Sequence, residues 1–90
     1  MYKHEGKTLT ITPAGQRWYQ QMIELHGGVG KALETGDLKF DTLHFFTEYY
    51  KGSGPVHDYY ADSEDITYLA YGTCQRAIDT LVRKGHVTLS

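Results

Sequence analysis

Residue periodicity in this 90-residue chain predicts a small α+β domain, mostly helical, with about four helices beside an antiparallel sheet drawn from its N- and C-terminal strands. Three observations carry that expectation. Apolar residues recur at helical spacing in separate stretches, strict alternation marks a strand near the N-terminus, and Val87 and Leu89 resume the alternation after the last helix. With 40% hydrophobic and 22% charged residues, the chain fits one domain over residues 1–90, close to the smallest size that builds its own core.

The strand comes first. In "KTLTITP", Leu9 and Ile11 alternate with Thr8, Thr10 and Thr12, the period and β-branching of a half-buried strand. Thr12 followed by Pro13 reads as an N-cap and first helical position, opening a helix that runs to about His26. Its apolar residues are Trp18, Met22 and Leu25, with Tyr19 and Ile23 beside them. Gly27 and Gly28 end this helix, and Gly30 begins a short turn. "DTLHFFTEYYK", Asp41 to Lys51, puts Leu43, Phe46 and Tyr50 on one face with Phe45 and Tyr49 next to it, and Gly52 stops it. Gly52, Gly54 and Pro55 read as breakers, and a short helix follows near residues 58–66. The final helix carries Cys74, Ala77, Ile78, Leu81 and Val82 on its apolar stripe; Thr73, Gln75, Arg76, Asp79, Thr80 and Arg83 take the other side, and Gly85 terminates it.

The "GGVGK" inside residues 26–36 invites a nucleotide-binding reading, which the flanking residues oppose. A phosphate loop needs a buried strand before it, a helix after it, and a hydroxyl following the Lys to hold Mg²⁺. Here Ala32 follows Lys31, and an amphipathic helix precedes the glycines. The five His are scattered without metal-ligand spacing, so no metal site or other cofactor is expected. No nucleophile and His accompany the carboxylates in sequence, so the chain is not expected to be an enzyme. A single Cys74, the lack of a signal peptide and the lack of a membrane-length apolar run make the cytoplasm the expected compartment, with no membrane partner.

Net charge is −2, but it is unevenly distributed. Residues 57–70 hold four acidic groups and no basic one, whereas residues 71–90 hold three basic groups and one acidic. Segregation of this kind places a basic face beside an acidic one.

"YGTCQRAIDTLVRKGHVTL" is the most informative stretch. Thr73, Arg76, Ala77, Ile78, Leu81, Gly85 and Val87 fall where a Thr, an Arg-Ala-aliphatic run, a Leu, a Gly and an aliphatic recur in the recognition helix and first wing strand of winged helix-turn-helix proteins, and residues 70–89 resemble that family. Ala70 stands where Ser or Thr is common, His86 where an aliphatic is usual, and "DYYADSEDI" lacks the Leu-Ala pair of the preceding helix. The resemblance implies a winged helix-like bundle acting as a prokaryotic or viral style transcriptional regulator. Its last helix would enter the major groove of double-stranded DNA. Tyr71, Thr73, Gln75 and Arg76 are then the groove-facing candidates, while Arg83, Lys84 and His86 lie where the wing begins and backbone contacts are made. One short module neutralises few phosphates, so a homodimer on two half-sites is expected.

Only one wing strand follows the last helix, yet "KTLTITPAGQRW" is similar to what ordinarily comes after a wing. Lys7 to Thr12 are therefore expected to pair with Val87 to Leu89, within the chain or from a second copy. Asp62, Glu64 and Asp65, a few residues before the last helix, count against a DNA role, since carboxylates near phosphates cost affinity; the other roles open to them are capping helix N-termini or facing a protein partner. The alternative function is a protein-interaction module on the same fold, binding a partner through Tyr49, Tyr50, Tyr59, Tyr60 and Tyr68.

Overall fold

A computed structural model describes residues 4–67 and 71–90, with the side chains of 62–67 and 71–72 outside the description. The elements are β1 (Thr8–Ile11), α1 (Pro13–His26), α2 (Val29–Glu34), α3 (Leu38–Tyr50), β2 (Ser53–Pro55), α4 (Val56–Thr67), α5 (Tyr71–Arg83) and β3 (Val87–Leu89). The sheet is antiparallel in the order β2-β1-β3. The α+β class and the sheet joining both ends of the chain are as expected, and the pairing is made within one chain.

β1 is central because both its edges are used. Leu9 opposes Gly54 on one side and Leu89 on the other, while Ile11 opposes Val87. Its alternation is literal: Leu9 and Ile11 are buried and Thr8 and Thr10 are exposed. Thr12 then caps α1, its hydroxyl accepting from the Gly15 N–H at 3.1 Å. The same hydroxyl donates to the Gly85 carbonyl at 2.6 Å, and the Thr12 N–H donates to the His86 carbonyl at 2.9 Å. The start of α1 is thus fastened to the turn between α5 and β3.

Gly15 belongs to that fastening. A Cβ built on it would lie 2.1 Å from the His86 carbonyl oxygen, so only a residue without a side chain lets the two backbones approach. At the far end of α1 the Gly27 N–H donates to Glu24 and the Gly28 N–H to Ile23, with Gly27 left-handed at φ 81°. This Schellman ending accounts for the paired glycines of the phosphate-loop lookalike.

The core is built around α3. Phe40, Leu43 and Phe46 are fully buried, meeting Val56 and Tyr60 of α4, Cys74, Ile78 and Leu81 of α5, and Leu9, Ile11 and Val87 of the sheet. Helices α3, α4 and α5 pack on one another, and α1 and α2 also pack on α3. Buried hydroxyls are accommodated locally: Thr42 is bonded to the Leu38 carbonyl and to the Tyr59 phenol, and Tyr19 to His44 Nδ1 at 2.9 Å.

Several expectations need correction. The five helices of the described residues agree with the expectation of about four, but Gly30 lies inside the additional short helix α2 instead of opening a turn. α3 begins at Leu38, not Asp41, since Asp37 caps it by accepting from the Lys39 N–H at 3.0 Å. Gly54 and Pro55, read as breakers, lie with Ser53 in β2; as an edge strand it tolerates Pro55, which stays exposed. α4 starts at the buried Val56 instead of near residue 58. Leu25 is 74% exposed and Val82 40% exposed, so neither belongs to its helix's buried stripe.

Candidate nucleic-acid interface

α5 is the most strongly amphipathic of the helices for which this is described, and its two sides are cleanly divided. Cys74, Ala77, Ile78 and Leu81 are buried, so the opposite side faces away from the core. Arg76 and Arg83 are exposed there, seven residues and so about 10 Å apart along the axis. Thr73, Gln75, Asp79 and Thr80 are half-buried around them. The Arg76 guanidinium donates to Thr73 Oγ1 at 3.4 Å and the Arg83 guanidinium to Thr80 Oγ1 at 3.2 Å, each lying back over the preceding turn. Thr80 in turn donates to the Arg76 carbonyl at 2.9 Å. Among the described residues, neither arginine forms an ion pair with a carboxylate. Hydroxyls orient these two cations without cancelling their charge.

Among the described residues, two carboxylates border this side, and each is paired. Asp79 sits between the arginines and is held by His4 Nε2 at 2.8 Å, which brings the N-terminal turn over α5. Asp37 lies at the start of α3 and is held by the Lys39 ammonium at 3.0 Å. Lys39 and Asp37, with Gly36 and Leu38, form one wall of a groove of about 340 Å³ whose other wall is Thr73, Arg76, Ala77 and Thr80 of α5. Sequence reasoning missed Lys39. Its signal was the Asp-x-Lys at a helix cap, but nothing local says that this cap lies against a helix nearly forty residues away.

The remaining candidates divide. Lys84 is exposed at the turn after α5. His86 is half-buried and stacks on Trp18 of α1, with ring centroids 5.6 Å apart and planes at 29°. Its Nδ1 is buried without a partner among the described residues, and burial, aided by the Lys84 charge, lowers its pKa below the usual imidazole value. The structure therefore joins His86 to α1 and leaves Arg76, Arg83 and Lys84 exposed to solvent. Tyr71 opens α5, but its side chain lies outside the described residues, as do those of Asp62, Glu64 and Asp65 and the whole of Tyr68 and Ala70. Of the acidic stretch, Asp58 is described, and it accepts a hydrogen bond from the Tyr50 phenol.

The proposed tyrosine surface is corrected by burial. Tyr59 and Tyr60 are core residues, at 3% and 0% exposure, and Tyr50 is half-buried against β2. Tyr49 alone of the described members stands out, 69% exposed. Val56, Tyr59 and Tyr60 share a helical face, a spacing that was available in the sequence. Among the described residues there is no group of three His, Cys, Asp or Glu side chains placed to hold a metal ion, and no helix long and apolar enough to cross a membrane. No protein-family model, curated protein or solved structure matches this chain.

Proposed function

We propose that this protein binds double-stranded DNA and reads it with α5, as a transcriptional regulator of winged helix-turn-helix type. The observation that carries the reading is the side of α5 turned away from the core, where Arg76 and Arg83 project from a ladder of threonine hydroxyls with no carboxylate paired to either among the described residues. A helix is about 10–12 Å across with its side chains, and a B-form major groove is about 12 Å wide, so α5 can enter one. In this reading the exposed Arg76 takes a guanine edge bidentately, the half-buried Gln75 an adenine edge, and the exposed Arg83 and Lys84 the flanking phosphates.

The surrounding fold supports the same reading. Three mutually packed helices, α3, α4 and α5, are followed by β3, which pairs with β1, and β1 runs into the Thr12-Pro13-Ala14-Gly15 helix start. In this reading β3 and β1 serve as the two strands of a wing, although they come from opposite ends of the sequence. With a net charge of −2 and few basic groups on the reading side, one copy neutralises few phosphates, and two copies on paired half-sites supply the missing affinity.

Electrophoretic retardation on mixed genomic fragments over a salt series tests the reading. Affinity should fall by about 0.9 log units per log of salt for each phosphate contacted. Arg76→Ala should lose about 1–3 kcal/mol of discrimination between preferred and random sequence. Absence of binding at the lowest salt, or an Arg76→Ala variant that discriminates as the parent does, refutes the assignment.

A further inference from the structure

We infer that the groove between the start of α3 and α5 is a seat for a DNA backbone phosphate, with Lys39 as its cation and Asp37 as a built-in brake on its affinity. The inference rests on the DNA-binding reading of α5 and adds a contact from a different helix. The groove shares Arg76 with the reading side, so a strand tracked by α5 passes its mouth. Lys39 is positioned before any ligand arrives: its ammonium is held 3.0 Å from Asp37 Oδ1, with the two side chains 31% and 27% exposed. A cation held this way loses less conformational freedom on meeting a phosphate than one swinging in solvent.

The hydroxyls across the groove are not equivalent. Thr80 spends its proton on the Arg76 carbonyl and accepts from Arg83. Thr73 accepts from Arg76, and its own proton is engaged by no partner among the described residues, so it is the hydroxyl able to donate to an incoming oxygen. A phosphate between Lys39 and Thr73 would bridge α3 to α5 and fix the angle at which α5 lies in the groove of the duplex, the positioning task of backbone contacts.

Asp37 works against this seat. Its Oδ1 accepts both the Lys39 N–H that caps α3 and the Lys39 ammonium, so the ammonium must be drawn from a carboxylate before it meets a phosphate. The cap and the charge are separable, because asparagine caps a helix about as well as aspartate while carrying no charge.

The test is a salt series with the full chain, its Lys39→Gln and Asp37→Asn variants, on genomic fragments bound by the parent. Circular dichroism verifies that each variant keeps its helix content. Lys39→Gln should lower the log–log salt slope by about 0.9 and weaken binding to preferred and random fragments alike. Asp37→Asn should tighten binding several-fold at low salt. An unchanged slope in folded Lys39→Gln, or no gain in Asp37→Asn, overturns the phosphate seat even where Arg76→Ala has upheld α5 as the reader. A parent that binds no fragment at any salt overturns both.

Discussion

Gly15→Ala adds one methyl group where the start of α1 meets the backbone leading into β3. The new Cβ would stand 2.1 Å from the His86 carbonyl oxygen, 2.9 Å from its carbon and 3.0 Å from Ile11 Cγ2. The nearest obstacle is backbone on a short turn, so no side chain can rotate away, and the two segments must part by more than about 1 Å to restore ordinary contact. Parting them stretches the bonds from the Thr12 N–H to His86 and from the Thr12 hydroxyl to Gly85. Overpacking costs about 2 kcal/mol and two weakened hydrogen bonds about 1 kcal/mol each, while the better helix propensity of alanine returns about 1 kcal/mol. The expected net loss is about 3 kcal/mol. Urea unfolding followed by circular dichroism reads this as a midpoint lowered by roughly 2–3 M, for a slope of about 1 kcal/mol per M. Gly30→Ala is the matched control: it lies within α2, nothing stands within 4 Å of its built Cβ, and it should raise the midpoint slightly. A Gly15→Ala protein as stable as the parent would refute the reasoning, as would equal losses at both positions.

Burial decides a second pair. Leu81→Ala removes a side chain with 0% exposure and should cost about 2–5 kcal/mol, whereas Val82→Ala, one residue on and 40% exposed, should stay within about 0.5 kcal/mol of the parent in the same assay. The third expectation concerns pH. Burial, with Lys84 nearby, holds the folded His86 pKa below its unfolded value of about 6.5, so the unfolded chain takes up the proton first as pH falls. His86 therefore costs no stability above about pH 6.5 and progressively destabilises the fold below it, until the folded ring also titrates. Urea midpoints between pH 7.5 and 5.5 should fall less in His86→Gln than in the parent; equal falls would remove His86 as the cause.

Where local chemistry decides an element, the sequence was enough to find it. The alternation of β1, the Thr12-Pro13 start of α1, the Gly27-Gly28 ending and the buried stripe of α5 are each dictated within a few residues. β2 was invisible because a three-residue Ser-Gly-Pro edge strand has no pattern of its own; it exists because β1 offers it a register, Thr8 to Thr10 opposite Pro55 to Ser53. α2 spans six residues, too few for a helical period to show, and begins immediately after a glycine. Val82 and Leu25 failed for another reason. Each sits at the margin of an apolar arc, where only the position of the neighbouring helices decides whether it is covered. The same holds for the candidate site: Arg76 and Arg83 followed from α5 alone, but the groove with Lys39 depends on how α3 is laid across α5.

The pairing of β1 with β3 from opposite ends of the chain bears on when α5 becomes fully ordered. A hairpin would join β1 and β3 through a few residues, whereas here Leu9 pairs with Leu89 and nearly the whole chain lies between them. Closing a loop about tenfold longer costs about 2 kcal/mol more, so this pairing is not a local nucleus and must be compensated by contacts formed when the rest of the fold is in place. The structure supplies them densely: Thr8 and Ser90 exchange both backbone bonds, Thr12 holds Gly85 and His86, Trp18 stacks on His86, and Gly15 admits the close approach. All of these act on the segment directly after α5, whose N–H groups at Gly85 and His86 also close the end of that helix on Val82 and Leu81. The end of α5 is therefore ordered by the N-terminal strand and α1, and the DNA binding proposed for α5 should be lost together with global unfolding, without a subdomain of α3 to β3 that binds on its own.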